Sequence, residues 1–350
     1  MLTMIVGTYT GGSSVGIYTY RFHAEALTVQ PLDKAVIDNP SYLAVSPDNA
    51  FVYAVSESNG NATVNAFTFD QSTGTLRFLN NKPVDAGPCY ILYHEATKTV
   101  ITANYSGGSV SITPIAADGS LTDTPLTIRY EGQGVHPSRQ TKPYLHCIAA
   151  SSDNTVLFAT DLGTDKVHKI DILQPLKESI DLSSVFKKST AFEVEPGSGP
   201  RHFIFNKKNT MAYLINELSG MVTVFSVDKI NNLTVKQYIL ADTVQAGGSA
   251  DIRLTPDEKF LYASTRLKGD GIAIFRVNDD GLLTKVGFQA TGIHPRNFAI
   301  TPDGNLLLVA CRDSGIIQIF KIDKRTGLLT DTGQTISVDR PVCILIIPKG

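Results

Sequence analysis

Short apolar runs alternate with turn-forming segments along the whole chain. Between Pro295 and Thr330, four such runs are separated by Thr-Pro-Asp-Gly, by a polar turn at Ser314-Gly315, and by Thr-Gly-Leu-Leu. Runs of four to eight residues rich in Val, Ile and Phe, bounded by Gly, Pro, Asp and Thr, are typical of β-strands. This stretch therefore predicts four short antiparallel strands joined by tight turns.

The chain repeats this pattern with a period close to 50 residues. Clear copies begin at Pro40 and Ser249, and weaker copies begin at Pro88, Pro143 and Pro200. With the copy at 295 and a last start at 341, the seven starts lie 46 to 57 residues apart. A fixed period of this length indicates a repeat architecture, and four strands per repeat are typical of the blades of a β-propeller.

The seventh repeat is divided between the two ends of the chain. One strand pattern remains after residue 341, whereas residues 4–30 supply patterns for a second, third and fourth strand. Pairing the C-terminal strand with the N-terminal strands closes the ring and hides edges that a linear array would expose. We therefore predict an all-β fold with one domain, residues 1–350, forming a seven-bladed β-propeller with four antiparallel strands per blade.

Two other architectures fit the pattern less well. A parallel α/β fold needs amphipathic helices of about ten or more residues between its strands. Only residues 173–185 have a pattern compatible with a helical turn. A propeller of the WD40 type shows Trp-Asp at its strand ends, and this chain contains no tryptophan.

The amino-acid composition argues against several classes of binding partner. The 31 Lys and Arg residues are balanced by 33 Asp and Glu residues, which argues against binding nucleic acid or an anionic membrane through bulk charge. No apolar run approaches the roughly 20 residues that cross a bilayer, and the start of the chain lacks a leader pattern, so we expect a cytoplasmic protein. The four cysteines form no C-x-x-C pair, and we expect reduced core thiols and no metal site.

The repeat also predicts which residues share a face of the disc. Adjacent strands are antiparallel, so the starts of the first (innermost) strands and the ends of the second strands lie on one face. The Pro-Asp-Gly turns lie on the other face and need no function beyond turning the chain. The first-strand starts contribute Tyr144, His146, Arg201, His202, Asp251, Arg296 and Asn297, and the second-strand ends contribute Glu57, Asn104, Asp161, Glu217, Arg266 and Arg312.

Charged and imidazole groups are costly at such inner positions unless partners or ligands are present. We therefore expect these side chains to converge on the mouth of the central channel, where a propeller can bind a small molecule. A channel filled with polar side chains and water is the alternative. The long connection 124–142, which carries Arg129, His136 and Arg139, is expected either to cap this mouth or to form a solvated loop.

Several segments together resemble one known family, the seven-bladed propeller lactonases. Its members include the propeller-type 6-phosphogluconolactonase and the fungal carboxymuconate lactonizing enzyme, and the resemblance covers essentially the whole chain. The motifs are Val-Gly-Thr-Tyr-Thr-Gly-Gly from Val6, Asn-Pro-Ser-Tyr-Leu from Asn39, Ala-Asn-Tyr-Ser-Gly-Gly-Ser-Val from Ala103, Asp-Leu-Gly-Thr-Asp-Lys-Val from Asp161, and Gly-Pro-Arg-His from Gly199.

The resemblance implies a set of site residues, without an obligatory metal and without an organic cofactor. It implies His146, Arg201, Glu217 and Arg266 as the catalytic groups. Three positions depart from the family pattern, which has His, Glu and Asn where this chain has Tyr144, Asp251 and Thr265. With the face prediction, the expected substrate-binding residues are His202, Asp251, Arg296, Asn297, Asn104 and Asp161.

These observations favour a lactonase that hydrolyses an anionic sugar lactone, such as 6-phosphogluconolactone. Either Glu217 or His146 would activate water as a general base, and Arg201 and Arg266 would stabilise the oxyanion. One alternative is a cycloisomerase that interconverts a muconate-like diacid and its lactone. The other is a propeller without enzymatic activity that binds a partner. The expected ligand is a small anionic molecule, and the sequence leaves the oligomeric state open.

Overall fold

The computed structural model describes residues 1–173 and 181–348, which form seven four-stranded antiparallel sheets. Each sheet is one blade of a closed ring, and the first strand of each blade is the innermost. The predicted all-β fold, with seven blades of four antiparallel strands, is confirmed.

The blades follow one another along the chain, each contributing its strands in sequence order. We number them from 1, and blade 7 contains both ends of the chain. The strands of blades 7, 1, 2 and 3 are β1 (Leu2–Thr8), β2 (Gly16–His23), β3 (Thr28–Val36); β4 (Leu43–Val45), β5 (Phe51–Ser56), β6 (Thr63–Asp70), β7 (Thr75–Pro83); β8 (Pro88–His94), β9 (Thr99–Asn104), β10 (Ser109–Pro114), β11 (Leu126–Arg129); and β12 (Leu145–Ala150), β13 (Val156–Asp161), β14 (Lys166–Ile172), β15 (Phe186–Glu193).

The remaining blades repeat this arrangement, and the last strand returns to blade 7. The strands are β16 (Pro200–Phe205), β17 (Met211–Asn216), β18 (Met221–Val227), β19 (Leu233–Leu240); β20 (Ile252–Leu254), β21 (Phe260–Thr265), β22 (Gly271–Val277), β23 (Leu283–Ala290); β24 (Pro295–Ile300), β25 (Leu306–Cys311), β26 (Ile316–Ile322), β27 (Leu329–Ser337); and β28 (Pro341–Pro348).

The ring closes where β28 pairs with β1. This antiparallel ladder runs from Leu2 opposite Pro348 to Thr8 opposite Pro341, so the innermost strand of blade 7 comes from the C-terminal end. The N-terminal strands of this blade extend from Leu2 to Val36, further than the 4–30 stretch predicted from the sequence. The ladder joins the two ends of the chain with backbone hydrogen bonds and pairs the edge of β1 that would otherwise be free.

One short helix interrupts the strands of blade 3. Helix α1 (Leu182–Val185) is a single turn, and Asp181 caps it by accepting a hydrogen bond from the Ser183 amide at 3.0 Å. The helical turn predicted over 173–185 agrees with this turn at its C-terminal end. Residues 174–180 lie outside the described residues. Within the part of the chain that the structure describes, no helix is long and apolar enough to cross a membrane.

In the part of the chain that the structure describes, the core consists of seven apolar clusters, each lying between two neighbouring blades. The cluster between blades 6 and 7 contains Leu308 and Ile317 from one blade and Met4 and Phe22 from the other. The other six clusters have the same arrangement around the ring. Because each blade buries both of its faces against its neighbours, the sheets stay in place and the inner strand ends are held at fixed positions around the axis.

Candidate active site

A β-bulge occurs at the second residue of the first strand in five blades; in β28 this residue is Val342, and in the other four it belongs to the site. In β8, β12, β16 and β24, the register with the neighbouring strand skips this residue. A bulge breaks the alternation of side chains and redirects the extra residue, and bulges are common next to active sites. The same local feature therefore supplies four side chains of the site. The bulged residues that belong to the site are Cys89, His146, Arg201 and Arg296.

A second ring of site residues directly follows the second strand of each blade. In blade 4 this residue is Glu217, whose amide donates a hydrogen bond to the Gly199 carbonyl at 2.7 Å. In blade 5 it is Arg266, which follows β21. The seven residues at this position are Tyr9, Glu57, Tyr105, Leu162, Glu217, Arg266 and Arg312.

Asn104 and Asp161 were predicted to contact substrate, but they lie one position earlier, at the last residue of their strands. The Asn104 amide donates to Ser109 Oγ at 3.1 Å and Ser111 Oγ at 2.8 Å. Asp161 Oδ1 accepts hydrogen bonds from the backbone amides of Tyr144 and Gly163. Both side chains are fully buried and fasten their own blades. Their contact with a substrate stays a prediction.

Glu217 is the centre of the site, and guanidinium groups contact both of its oxygens. Arg139 Nη2 lies 2.6 Å from Oε1, while Arg201 Nε and Arg266 Nη2 lie 2.8 and 3.3 Å from Oε2. Burial pushes the pKa of this carboxyl group upward, but the positive charges of Arg266, Arg201 and Arg139 outweigh burial and lower its pKa to about 2. Glu217 is therefore a carboxylate at neutral pH and has little affinity for a proton.

Arg139 reaches Glu217 from the connection between blades 2 and 3. The first part of the predicted 124–142 loop is in fact strand β11, which pairs with β10 because Leu126 and Ile128 pack into the core. The rest of the connection crosses toward the mouth, where Arg139 Nη2 also donates to the Tyr105 hydroxyl at 3.3 Å. Buried Gln140 fixes this segment by donating to the Leu162 carbonyl at 2.9 Å. The connection thus covers part of the mouth.

His146 lies beside Glu217, with its Nε2 atom 3.9 Å from Oε2, too far for a direct hydrogen bond. Its Nδ1 atom is 3.6 Å from Cys89 Sγ, and the Tyr105 ring meets the imidazole edge-on at 5.4 Å between centroids. Burial, with the nearby positive charge of Arg201, holds the pKa of His146 well below its usual value. The imidazole is therefore neutral at neutral pH.

Arg201 is linked through His202 to two further buried residues. Arg201 Nη1 lies 3.1 Å from His202 Nε2, and His202 Nδ1 lies 2.8 Å from Asp251 Oδ1. Asn297 donates to Asp251 Oδ2 at 2.7 Å and accepts from the Ile344 amide. His202, Asp251 and Asn297 thus engage protein partners. Their predicted contact with a substrate stays a prediction.

Arg266, which also contacts Glu217 Oε2, has a similar set of neighbours. Its Nη1 atom lies 3.0 Å from His294 Nε2, and His294 Nδ1 lies 3.3 Å from Asp313 Oδ2. Burial, with the positive charge of Arg201, lowers the pKa of Arg266 to about 9, so the guanidinium remains charged at neutral pH.

Arg296 lies near the same opening but has different surroundings. Its guanidinium is 5.2 Å from the centre of the Tyr9 ring, and the Tyr9 hydroxyl donates to Glu57 Oε2 at 2.9 Å. Among the described residues, no carboxylate oxygen lies within ion-pair distance of Arg296, in contrast to the arginines that contact Glu217. A charged group in a partly buried position without a carboxylate partner is a good receptor for an anionic ligand.

The structure brings together the four residues predicted as catalytic, because His146, Arg201 and Arg266 all lie within 4 Å of Glu217. Sequence reasoning did not identify Tyr9 and Tyr105, although both occur in motifs of the family resemblance. Both residues directly follow the second strand of their blade, as Glu217 does. Aligning the repeats at this position would therefore have identified them. The association of Asp313 with His294 has no signal in the sequence.

Comparison with known families gives one match over nearly the whole chain. Residues 3–346 match the family model described as lactonase, 7-bladed beta-propeller. A protein of Bacillus subtilis named 6-phosphogluconolactonase is 33% identical over 347 residues, covering 97% of this chain and 96% of its own length. A protein of Formosa agariphila with the same name is 34% identical over 347 residues, covering 96% of this chain and 97% of its own length.

Two solved structures resemble the whole propeller. One, from Bacteroides fragilis, is described as a candidate 6-phosphogluconolactonase and has a TM-score of 0.95 with 50% identity, covering 99% of this chain and 98% of its own. The other is described as a periplasmic gluconolactonase of Pseudomonas aeruginosa. It has a TM-score of 0.87 with 31% identity and covers 99% of both chains. The names of these relatives thus refer to both a phosphorylated and an unphosphorylated sugar lactone.

Proposed function

The chain belongs to the seven-bladed β-propeller lactonase family, and on this premise we propose that it hydrolyses an anionic sugar lactone, 6-phosphogluconolactone or a close relative, at the mouth around Glu217. The observation that carries the proposal is the concentration of arginine around one buried carboxylate. Three guanidiniums contact Glu217, and a fourth, that of Arg296, lies nearby without a carboxylate partner.

The charge balance of the mouth favours an anionic substrate. Arg139, Arg201, Arg266 and Arg296 carry four positive charges there, whereas Glu57 and Glu217 carry two negative ones. The whole chain has a formal charge of −2, so this excess is local. A concave site lined by one sign of charge attracts ligands of the opposite sign and raises their association rate.

We assign the acceptor of the water proton to His146 rather than Glu217. Both Glu217 oxygens already accept hydrogen bonds from guanidinium groups, whereas no hydrogen bond among the described residues engages His146 Nε2. His146 is neutral, and no hydrogen bond joins its Nε2 atom to Glu217 at 3.9 Å. A neutral imidazole can take a proton from water, and the nearby negative charge of Glu217 stabilises the imidazolium that forms.

The reaction then runs in two steps. The water oxygen bonds to the lactone carbonyl carbon while one water proton passes to His146, and the carbonyl oxygen becomes an oxyanion. The bond from this carbon to the ring oxygen then breaks, and the imidazolium returns its proton to the ring oxygen. The product is a hydroxy acid, which releases one proton to solvent at neutral pH. No covalent intermediate with the protein is needed.

Arg201 is the best placed oxyanion donor. Its Nε and Nη1 atoms donate to Glu217, to the Ala250 carbonyl and to His202. Nη2 has no hydrogen-bond partner among the described residues, so its two N–H groups are available to a ligand. Arg266 contacts the same Glu217 oxygen as Arg201 and adds a second positive charge. Donors fixed in advance at a developing negative charge are a major source of catalysis in acyl transfer.

Arg296 is the proposed receptor for the phosphate or other remote anion of the substrate. This assignment predicts that Arg296→Gln weakens binding of a phosphorylated lactone selectively. A hydrogen bond to a charged group contributes about 1.5–3 kcal/mol, so KM for 6-phosphogluconolactone should rise by roughly 10- to 100-fold. KM for gluconolactone, which lacks the phosphate, should change little. Initial rates of proton release with both lactones measure the difference.

Arg276→Gln is the matched control, because Arg276 lies on the exterior over the Phe260 ring at 5.3 Å, in blade 5. It should leave KM for both lactones unchanged. Equal losses with both lactones in Arg296→Gln, or no loss with either, would contradict the phosphate assignment. Turnover of a muconate-type diacid lactone in place of sugar lactones would instead support the cycloisomerase alternative, in which the same base moves a proton on carbon.

A further inference from the structure

We propose that His202 and His294 are positioning residues, each accepting a hydrogen bond at Nε2 from an active-site arginine and donating one from Nδ1 to an aspartate. The two resulting Asp–His–Arg relays hold Arg201 and Arg266 against the same Glu217 oxygen, Oε2. The inference rests on the proposed function where it concerns catalysis. The hydrogen bonds proposed for the two imidazoles are expected in the folded protein whether or not a substrate is bound.

The first relay is buried along its whole length. Asp251 Oδ1 lies 2.8 Å from His202 Nδ1, His202 Nε2 lies 3.1 Å from Arg201 Nη1, and Arg201 Nε lies 2.8 Å from Glu217 Oε2. Asp251 is held in turn by Arg253 Nε at 3.1 Å and by Asn297. The aspartate therefore has a fixed position from which it can orient the imidazole.

The second relay has the same connectivity with different residues. Asp313 Oδ2 lies 3.3 Å from His294 Nδ1, His294 Nε2 lies 3.0 Å from Arg266 Nη1, and Arg266 Nη2 lies 3.3 Å from Glu217 Oε2. The His294 amide donates to Asp270 Oδ1 at 2.7 Å, which fixes the backbone that carries the ring. This relay reaches the surface, because the Asp313 side chain is 42% exposed. The corresponding aspartate of the first relay, Asp251, has a side chain that is only 3% exposed.

The two arginines also share a backbone anchor. Arg201 Nη1 donates to the Ala250 carbonyl at 2.7 Å, and Arg266 Nε donates to the Gly248 carbonyl at 2.6 Å. Each guanidinium is thus held by one carboxylate, one or two carbonyls of residues 248–250, and one imidazole. The imidazole is the part of this clamp that is specific to one arginine and that a substitution can remove without changing the backbone, since Glu217 is shared by both arginines.

The chemistry of arginine fixes the protonation of both rings. A guanidinium has only N–H donors, so the imidazole nitrogen that faces it must carry a lone pair. Each ring is therefore neutral with its proton on Nδ1, where it donates to the aspartate. In agreement, burial and Arg201 lower the pKa of His202 to about 4, and burial, Arg266 and Arg312 lower the pKa of His294 to about 3.

The protonation state gives a direct spectroscopic test. In protein labelled with 15N at histidine, long-range proton–nitrogen correlation spectra at pH 7 distinguish the Nδ1–H from the Nε2–H tautomer. We expect Nδ1–H for His202 and His294, assigned by comparison with His202→Gln and His294→Gln. His136 is an internal control with the opposite expectation, because its Nδ1 faces the Ser138 and Arg139 amides at 3.4 and 3.2 Å. Imidazolium or Nε2–H signals for His202 and His294 would overturn the relays.

The functional role is tested with two substitutions of similar shape at His294. His294→Gln keeps an acceptor for Arg266, whereas His294→Met removes it. Residue 294 has a φ of 62°, a left-handed conformation that strains any residue other than glycine. The backbone strain is therefore the same in both variants. At metal sites, loss of a group that orients a ligand side chain typically costs about 10- to 100-fold in affinity or activity, and we expect the same scale for an oriented arginine. We expect His294→Met to lower kcat by at least about tenfold, with a smaller change in KM, and His294→Gln to restore most of it.

Equal activity of His294→Met and wild type, or equal losses in the Met and Gln variants, would overturn the positioning role. Asp313→Ala is a second variant at an exposed residue, where folding is not at risk, and it should lower kcat. Its control, Asp279→Ala, alters another exposed aspartate and should not. Failure of the wild type to open lactones would refute the proposed function instead, and the tautomers would still test the relays.

Discussion

Glu217→Gln should reduce both the stability and the activity of the protein, with the largest combined effect of any single substitution in the site. The side chain keeps its shape, but Arg139, Arg201 and Arg266 lose their common counter-charge in a buried position. Removing one partner of a buried ion pair typically costs about 3–5 kcal/mol of folding free energy. Urea denaturation at pH 7 measures this loss.

The same substitution should lower kcat/KM for the phosphorylated lactone by about 100-fold or more, because the arginines are no longer held in the arrangement that stabilises the oxyanion. Glu95→Gln is the control. Glu95 pairs with Lys98 on the surface with its side chain 52% exposed, and such pairs contribute about 0–1 kcal/mol. A Glu217→Gln variant as stable and active as Glu95→Gln would show that Glu217 does not organise the site.

His146→Asn should reduce kcat by about 100- to 10,000-fold while the protein remains folded, because it removes the proposed proton acceptor. The matched control is His94→Asn, which changes another buried histidine at the opposite end of a first strand, β8. It should retain activity. Steady-state kinetics with thermal unfolding midpoints separate loss of chemistry from loss of structure, and a His146→Asn variant with the kcat of the control would refute the assignment.

The pH dependence of kcat/KM for the wild type should also report whether His146 is the base. The base must be unprotonated, and the pKa of His146 lies well below its usual value. We therefore expect kcat/KM to stay level through neutral pH and to fall only in acid, as the imidazole takes up a proton. A decline that begins near the pKa of an ordinary histidine, about 6.5, would contradict the buried and neutral state of His146.

The fold was predictable because each blade repeats the same pattern of strands and turns. The turns at Thr301 and Thr255 show why, since each threonine hydroxyl donates to the aspartate two residues later, Asp303 or Asp257. Because these contacts join residues only two positions apart, the repeated sequence pattern is enough to predict them. The closure of blade 7 was predictable for a different reason, because one strand was missing at one end and three extra strands were present at the other.

The site was predictable only to the level of the repeat. The repeat located the inner strand starts and therefore His146 and Arg201, but it does not encode a β-bulge, which arises from pairing with the next strand. The repeat also does not distinguish Asn104, the last residue of β9, from Tyr105, whose hydroxyl accepts a hydrogen bond from Arg139. Arg139 could be placed only on a long connection, because its contact with Glu217 spans 78 positions of sequence.

The second relay shows the same limit. His294 follows the repeat, whereas Asp313 follows the second strand of blade 6 by two residues, and only the folded chain brings the two side chains to 3.3 Å. Interactions between different repeats depend on how the blades pack, which a single sequence does not specify. The residues that position the arginines belong to this class, so the structure was needed to find them.

The most direct test of the account is the rate of proton release when purified wild-type protein and Arg201→Ala are mixed with 6-phosphogluconolactone and with gluconolactone. We expect the wild type to open the phosphorylated lactone well above the rate in buffer. We expect it to prefer this lactone by at least about tenfold in kcat/KM, which corresponds to the loss of one contact of about 1.4 kcal/mol. Folded Arg201→Ala should lose about 100-fold or more in rate. Equal rates for the two proteins, or a wild-type rate no faster than buffer, would contradict the account.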